Sequence, residues 1–157
     1  MAHDIFRAVS ILPDLSSEDL ESFIALLRFD HIEEGETIVK EGSSVKAISI
    51  ICDGVVNVFR NAGGEDALLG KIGVGGFFGE INFFDPGLAS ASICAAEPVE
   101  LATIDYPSFR TYMEDHPLAG FRIVSAMMSE MCRRIRHTDA EFARSVYLGG
   151  LQQASPG

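Results

Sequence analysis

The sequence predicts a mainly β fold with flanking helices: a double-stranded β-helix, or jelly-roll-like β-roll, with an N-terminal helix and a long C-terminal helix. Between residues 28 and 105, short runs rich in Val, Ile and Phe are punctuated by Gly35, Gly42, Gly54, Gly63-Gly64, Gly70, Gly73, Gly75-Gly76, Gly79 and Gly87. Short strands with regular turns read as an antiparallel roll or sandwich. Helical spacing of apolar residues appears before that stretch and returns after it. At 157 residues, 47% hydrophobic and 22% charged, the chain is long enough to enclose one core without disulfides or metal.

Each element has its own signal. Ser16-Ser17-Glu18-Asp19 ahead of Leu20, Phe23, Ile24 and Leu27 predicts an amphipathic helix capped by Ser16 and ending near Arg28. Strands follow at 28–33, 36–40, 47–53, 54–60, 66–72, 90–96 and 98–105. In the third, Ile48, Ile50 and Cys52 share one face while Ala47, Ser49 and Ile51 leave the other only partly polar, so the strand is expected to be covered on both sides. Asn61-Ala62-Gly63-Gly64 suits a hairpin loop, where glycine supplies positive φ. Helical spacing resumes after Pro107 in a short segment ending near Glu114. A long helix of about 117–145 then starts at Pro117, a residue well tolerated in the first turn. Phe121, Val124, Met128, Met131, Ile135 and Phe142 form a heptad seam along it, with the slot at Thr138 left polar. Residues 1–145 are therefore read as one domain and 146–157 as a flexible tail.

Composition narrows the function. The formal net charge of −11 repels nucleic-acid backbones and anionic membranes except where basic residues cluster. The one cluster is Arg133, Arg134, Arg136 and His137. No apolar run approaches the length of a membrane span and the N-terminus lacks a secretion signal, so a cytoplasmic location is expected. Cys52, Cys94 and Cys132 form no C-x-x-C pair, and His3, His31, His116 and His137 show no metal-ligand spacing. Gly70-Lys71-Ile72-Gly73-Val74-Gly75-Gly76 fits neither a dinucleotide fingerprint nor a phosphate loop, and no G-x-S-x-G elbow occurs. A non-enzymatic role is the expectation.

The most informative stretch is residues 75–93, GGFFGEINFFDPGLASASI. Together with Leu12-Pro13 and Leu15-Ser16, the Gly35–Gly42 hairpin, Asp53-Gly54-Val55-Val56-Asn57-Val58 and the final long helix, it resembles the cyclic nucleotide-binding domain family from about Leu12 to Ile135. The resemblance implies that Phe78-Gly79-Glu80 opens a short helix whose amides face a cyclic phosphate, with Glu80 accepting from the ribose 2′-hydroxyl. Family members that bind cyclic AMP or cyclic GMP then carry an arginine before a small-residue run. Here that run is Ala89-Ser90-Ala91-Ser92-Ile93, so Ala89 stands where the arginine would be, and no Lys or Arg occurs from Ile72 to Phe109.

The ligand-binding residues implied are Phe78, Gly79, Glu80, Ile81, Asn82, Ala89, Ser90 and Ala91. Phe77, Phe78, Phe83 and Phe84 are read as core or pocket wall, Asn82 and Ser90 as ligand contacts or turn-formers, and the arginine cluster as a solvated helix face, with partner docking as its alternative role. Arg60 or Arg122 could fold into the vacancy at Ala89. Loss of the arginine points to a sensor or regulatory module that binds cyclic AMP or cyclic GMP weakly, or takes a less charged small ligand. The alternative is a ligand-free scaffold for dimerisation or protein docking. Phe121, Val124, Met128, Met131 and Ile135 are the expected homodimer seam. Relatives that bind DNA continue into a helix-turn-helix segment where this chain stops, so no direct DNA binding is expected.

Overall fold

The computed structural model describes Val9, Ile11, Leu12 and residues 15–153; Pro13 and residues 154–157 of the expected tail lie outside the described residues. Helix α1 (Ser17–Ile24) begins where the Ser16 hydroxyl accepts from the Asp19 amide at 3.0 Å. It stops short of Arg28, because the Leu26 and Leu27 amides close tighter turns on Phe23 and Ile24 and release the chain into a strand.

Eight strands follow: β1 (Arg28–Ile32), β2 (Thr37–Val39), β3 (Ala47–Asp53), β4 (Val56–Ala62), β5 (Glu65–Ile72), β6 (Phe77–Phe78), β7 (Ser92–Ala95) and β8 (Val99–Asp105). They form two four-stranded antiparallel sheets, ordered β1-β8-β3-β6 and β2-β7-β4-β5. This is the expected roll, with flanking helices. β4 starts at Val56 because Gly54 turns at φ +84, where a Cβ would come within 2.3 Å of the Pro98 carbonyl. The hairpin loop shrinks to Gly63-Gly64, both at positive φ. β6 was not expected as a strand; two residues are too few to show alternation.

Between the sheets lie Ile51, Val56, Phe78, Ile93, Ala95, Val99 and Leu101. On the outer side of the first sheet, Ile48, Ile50, Phe77, Ala102 and Ile104 pack against Leu20, Phe23, Phe109, Tyr112, Ile123 and Met127 from the helices. β3 is thus covered on both faces, as its sequence indicates, because one face meets the second sheet and the other the helices.

Helix α2 (Ile81–Phe84) is a single turn, α3 (Tyr106–Asp115) is capped by Asp105, and α4 runs Pro117–Gln153. α4 continues past the expected end at 145. The glycines at 149 and 150 weaken the last turns without ending them, and no proline intervenes before position 156. Among the described residues, no helix is long and apolar enough to cross a membrane.

Candidate functional site

β6, α2 and the segment entering β7 meet against the inner face of the second sheet and one side of α4. The turn between β6 and α2 depends on Gly79: its φ is +90, and a Cβ there would stand 2.2 Å from the Ala47 carbonyl oxygen. The Tyr106 hydroxyl donates to the Gly79 carbonyl at 2.6 Å. Burial pushes the Tyr106 phenol up to about 12, with the nearby Glu80 carboxylate adding to it. The opposite wall is held by backbone bonds in which Gly42 donates to Ala89 and Ala89 to Ser43, each at 2.8 Å.

These elements enclose a cavity of about 120 Å³. Phe78, Gly79, Glu80, Ile81, Asn82, Ala89, Ser90 and Ala91 all line it, with Val39, Val45, Val58, Ile72 and Ile93 as apolar walls. It adjoins an open vestibule of about 690 Å³ bounded by β5, the Gly73–Gly76 turn and α4. Ile81, Ser90, Ala91 and Arg134 border both spaces.

The polar groups are already engaged to different degrees. The Asn82 amide donates to the Gly87 carbonyl at 2.9 Å, which is its turn-forming role. Ser90 is exposed and its hydroxyl makes no hydrogen bond among the described residues. Phe78 is cavity wall, and Phe77 is fully buried. Phe83 packs edge-on against Phe109 and Tyr106, whereas Phe84 is 45% exposed.

Glu80 is the most constrained group. It is 3% exposed and makes no side-chain cap to α2. Its carboxylate instead accepts from Arg134 Nη1 at 3.1 Å. Arg134 Nη2 donates to the Phe77 carbonyl at 2.9 Å, its guanidinium lies 4.7 Å over the Phe77 ring, and its Nε stands 3.4 Å from Glu130. Burial raises the Glu80 carboxyl above its usual range, Arg134 opposes that shift, and Glu130 reinforces it.

Arg134 is therefore the cation at this site, and sequence reasoning placed it on a solvated face. The missed signal is spacing: Arg134 lies four residues beyond Glu130 and seven beyond Met127, continuing the stripe of Ala119, Ile123 and Met127 that α4 buries. Arg60 and Arg122, considered for the vacancy at Ala89, do not line the cavity. Arg60 is 62% exposed and 3.9 Å from Glu41. Ala89 itself is 7% exposed, a small apolar patch of wall.

The family model for the cyclic nucleotide-binding domain matches residues 29–116. The chain is 27% identical over 128 residues to the cyclic AMP receptor protein of Thermus thermophilus, covering 81% of this chain and 57% of that protein. It is 29% identical over 114 residues to a CRP-like cAMP-activated global transcriptional regulator of Mycobacterium tuberculosis, covering 72% and 49%. In fold it is similar to a cyclic nucleotide-binding domain from Methylobacillus flagellatus, with TM-score 0.84, 19% identity, and 91% and 83% of the two chains covered.

The chain spans about half the length of the curated relatives it matches. The expectation of no direct DNA binding is corrected by this finding. It rested on where the sequence stops, whereas the matched stretch makes up only 49% of the Mycobacterium tuberculosis regulator, so the end at residue 157 carries no information about a DNA-contacting segment.

Proposed function

The chain belongs to the cyclic nucleotide-binding domain family, and from that premise we propose a non-enzymatic, cytoplasmic regulatory module with weak or altered ligand preference, homodimeric through α4. Ligand in the cavity beside Glu80 shifts α4 against the roll. The observation that carries this reading is the Arg134 junction, where one side chain of α4 bonds both Glu80 and the Phe77 carbonyl. A ligand that engages Glu80 differently in two positions of α4 biases their populations by that difference in affinity.

Weak binding of cyclic nucleotides follows from Ala89. A charged hydrogen bond contributes about 1.5–3 kcal/mol, and about 1.4 kcal/mol corresponds to one decade of affinity. The missing guanidinium–phosphate contact, commonly bidentate, thus lowers affinity by roughly 10- to 1000-fold. The exposed Phe121, Met128 and Ile135, with the half-buried Val124 and Met131, support a helix–helix seam for the dimer.

Calorimetric titration with cyclic AMP, cyclic GMP and cyclic dinucleotides tests the reading. Ala89→Arg is expected to strengthen cyclic AMP binding by a factor in that range. An unchanged isotherm rejects the pocket. Silence from every ligand in both proteins favours a scaffold without ligand.

A further inference from the structure

Resting on the ligand-responsive reading above, we propose that this cavity prefers an uncharged ribonucleoside to its phosphorylated form. The formal charges lining the cavity are Glu80 and Arg134, which cancel. The vestibule adds Lys71 and Glu130, and Glu130 is shared between Arg133 and Arg134. Among the described residues, no surplus cation lines the cavity where Ala89 forms the wall.

Arg134 cannot serve an incoming anion without cost. Its Nη1 holds Glu80, its Nη2 holds the Phe77 carbonyl, and its Cζ lies 4.7 Å from the centroid of the Phe77 ring. Drawing it onto a phosphate would leave the Glu80 carboxylate buried without its counter-charge, an outcome that low-dielectric surroundings penalise strongly. A neutral molecule leaves the pair intact.

The polar groups that remain suit hydroxyls. A carboxylate has about four lone-pair sites, and Arg134 is held at one Glu80 oxygen, so the group can accept from a ligand O–H as well. Ser90 offers a hydroxyl at the border of cavity and vestibule. Val58, Ile72 and Ile81 supply apolar wall shared by the two spaces. A small hydroxyl-bearing head in the inner cavity joined to a ring in the wider vestibule satisfies all three, which is the chemistry of a sugar carrying a base without a phosphate.

The test is calorimetry on the full chain with adenosine, cyclic AMP and 2′,3′-dideoxyadenosine, in the wild type and in Ala89→Arg. Adenosine is expected to bind the wild type at least tenfold more tightly than cyclic AMP. The dideoxy analogue should be weaker than adenosine by roughly 10- to 100-fold, the value of a hydrogen bond to a charged group. Ala89→Arg should reverse the preference. Cyclic AMP binding the wild type as tightly as adenosine overturns the inference and leaves the proposed function standing. Equal binding of adenosine and its dideoxy analogue overturns it even if Ala89→Arg fails to fold. Silence of all three ligands in both proteins overturns the inference, and with cyclic GMP and the cyclic dinucleotides silent as well it overturns the proposed function too.

Discussion

One face of α4 presents Ala119, Ile123 and Met127 to the roll, where they are 2%, 0% and 0% exposed; another presents Phe121, Met128, Ile135 and Phe142, which are 69%, 57%, 59% and 70% exposed. Adjacent residues divide between the two: Met127 is core and Met128 is surface. The buried face repeats about every four residues and ends in Arg134, whose guanidinium closes the cavity. The exposed face repeats every seven. The row at heptad spacing is the one the proposed partner helix would cover, whereas the row at four-residue spacing packs on the parent domain. Apolar periodicity in the sequence singles out the heptad row, whereas the row of Ala119, Ile123 and Met127 stands out only by its burial.

The buried face is the more sensitive of the two to truncation. Ile123→Ala is expected to destabilise the domain by about 2–5 kcal/mol, since it leaves a cavity in a closed core, whereas Phe121→Ala should shift the unfolding free energy of dilute monomer by less than about 0.5 kcal/mol. Parallel denaturant titrations decide it, and equal losses would erase the distinction between the faces.

At the end of the buried face, Arg134→Ala removes the counter-charge of Glu80. Breaking a buried pair costs about 3–5 kcal/mol; because the Arg134 side chain is 34% exposed, solvent screening reduces the expected loss to about 1–3 kcal/mol. Adding Glu80→Gln should recover part of it. Failure of that rescue would mean that Arg134 acts by packing on Phe77 and not by charge.

pH sharpens the same point. Glu80 holds its proton more tightly folded than unfolded, because burial raises its pKa above 4.5. Stability therefore falls as pH rises from that usual value through the raised folded one. Asp19 and Asp105 behave oppositely: the Ser16 hydrogen bond first, and the Ser108 hydrogen bonds, lower their pKa values below 3.8. Their contribution is present above 3.8 and is lost as pH falls through the lowered values. Thermal midpoints across pH should show Glu80→Gln flattening the higher-pH decline while leaving the acid side unchanged.

The smallest effect on folding is expected from the exposed face. Met128→Asp with Ile135→Asp should convert the proposed dimer to monomer in sedimentation while changing the thermal midpoint of dilute protein little. Persistence of the dimer would move the interface away from this row.

Much of the fold was legible because its signals are local. Ser16 caps α1 through a neighbour three residues away, and Gly63-Gly64 reverses the chain within its own hairpin. Gly79 belongs to a motif whose residues lie together in sequence, and those residues line one cavity. Less was legible where the cause is distant. β6 exists because Ser49 and Ile50 pair with its two phenylalanines, and the end of α4 was masked by a composition that reads as loop.

Local chemistry in the chain by itself determined the strand-and-turn alternation, the capped first helix, the heptad row and the absence of a basic residue around Ala89, because each depends on neighbours within a few positions. Only the tertiary structure decided that Arg134 reaches across to Glu80 and Phe77, 54 and 57 residues away in sequence, and which apolar row of α4 is covered. A buried charge finds its partner through space, and burial depends on what the rest of the chain places opposite.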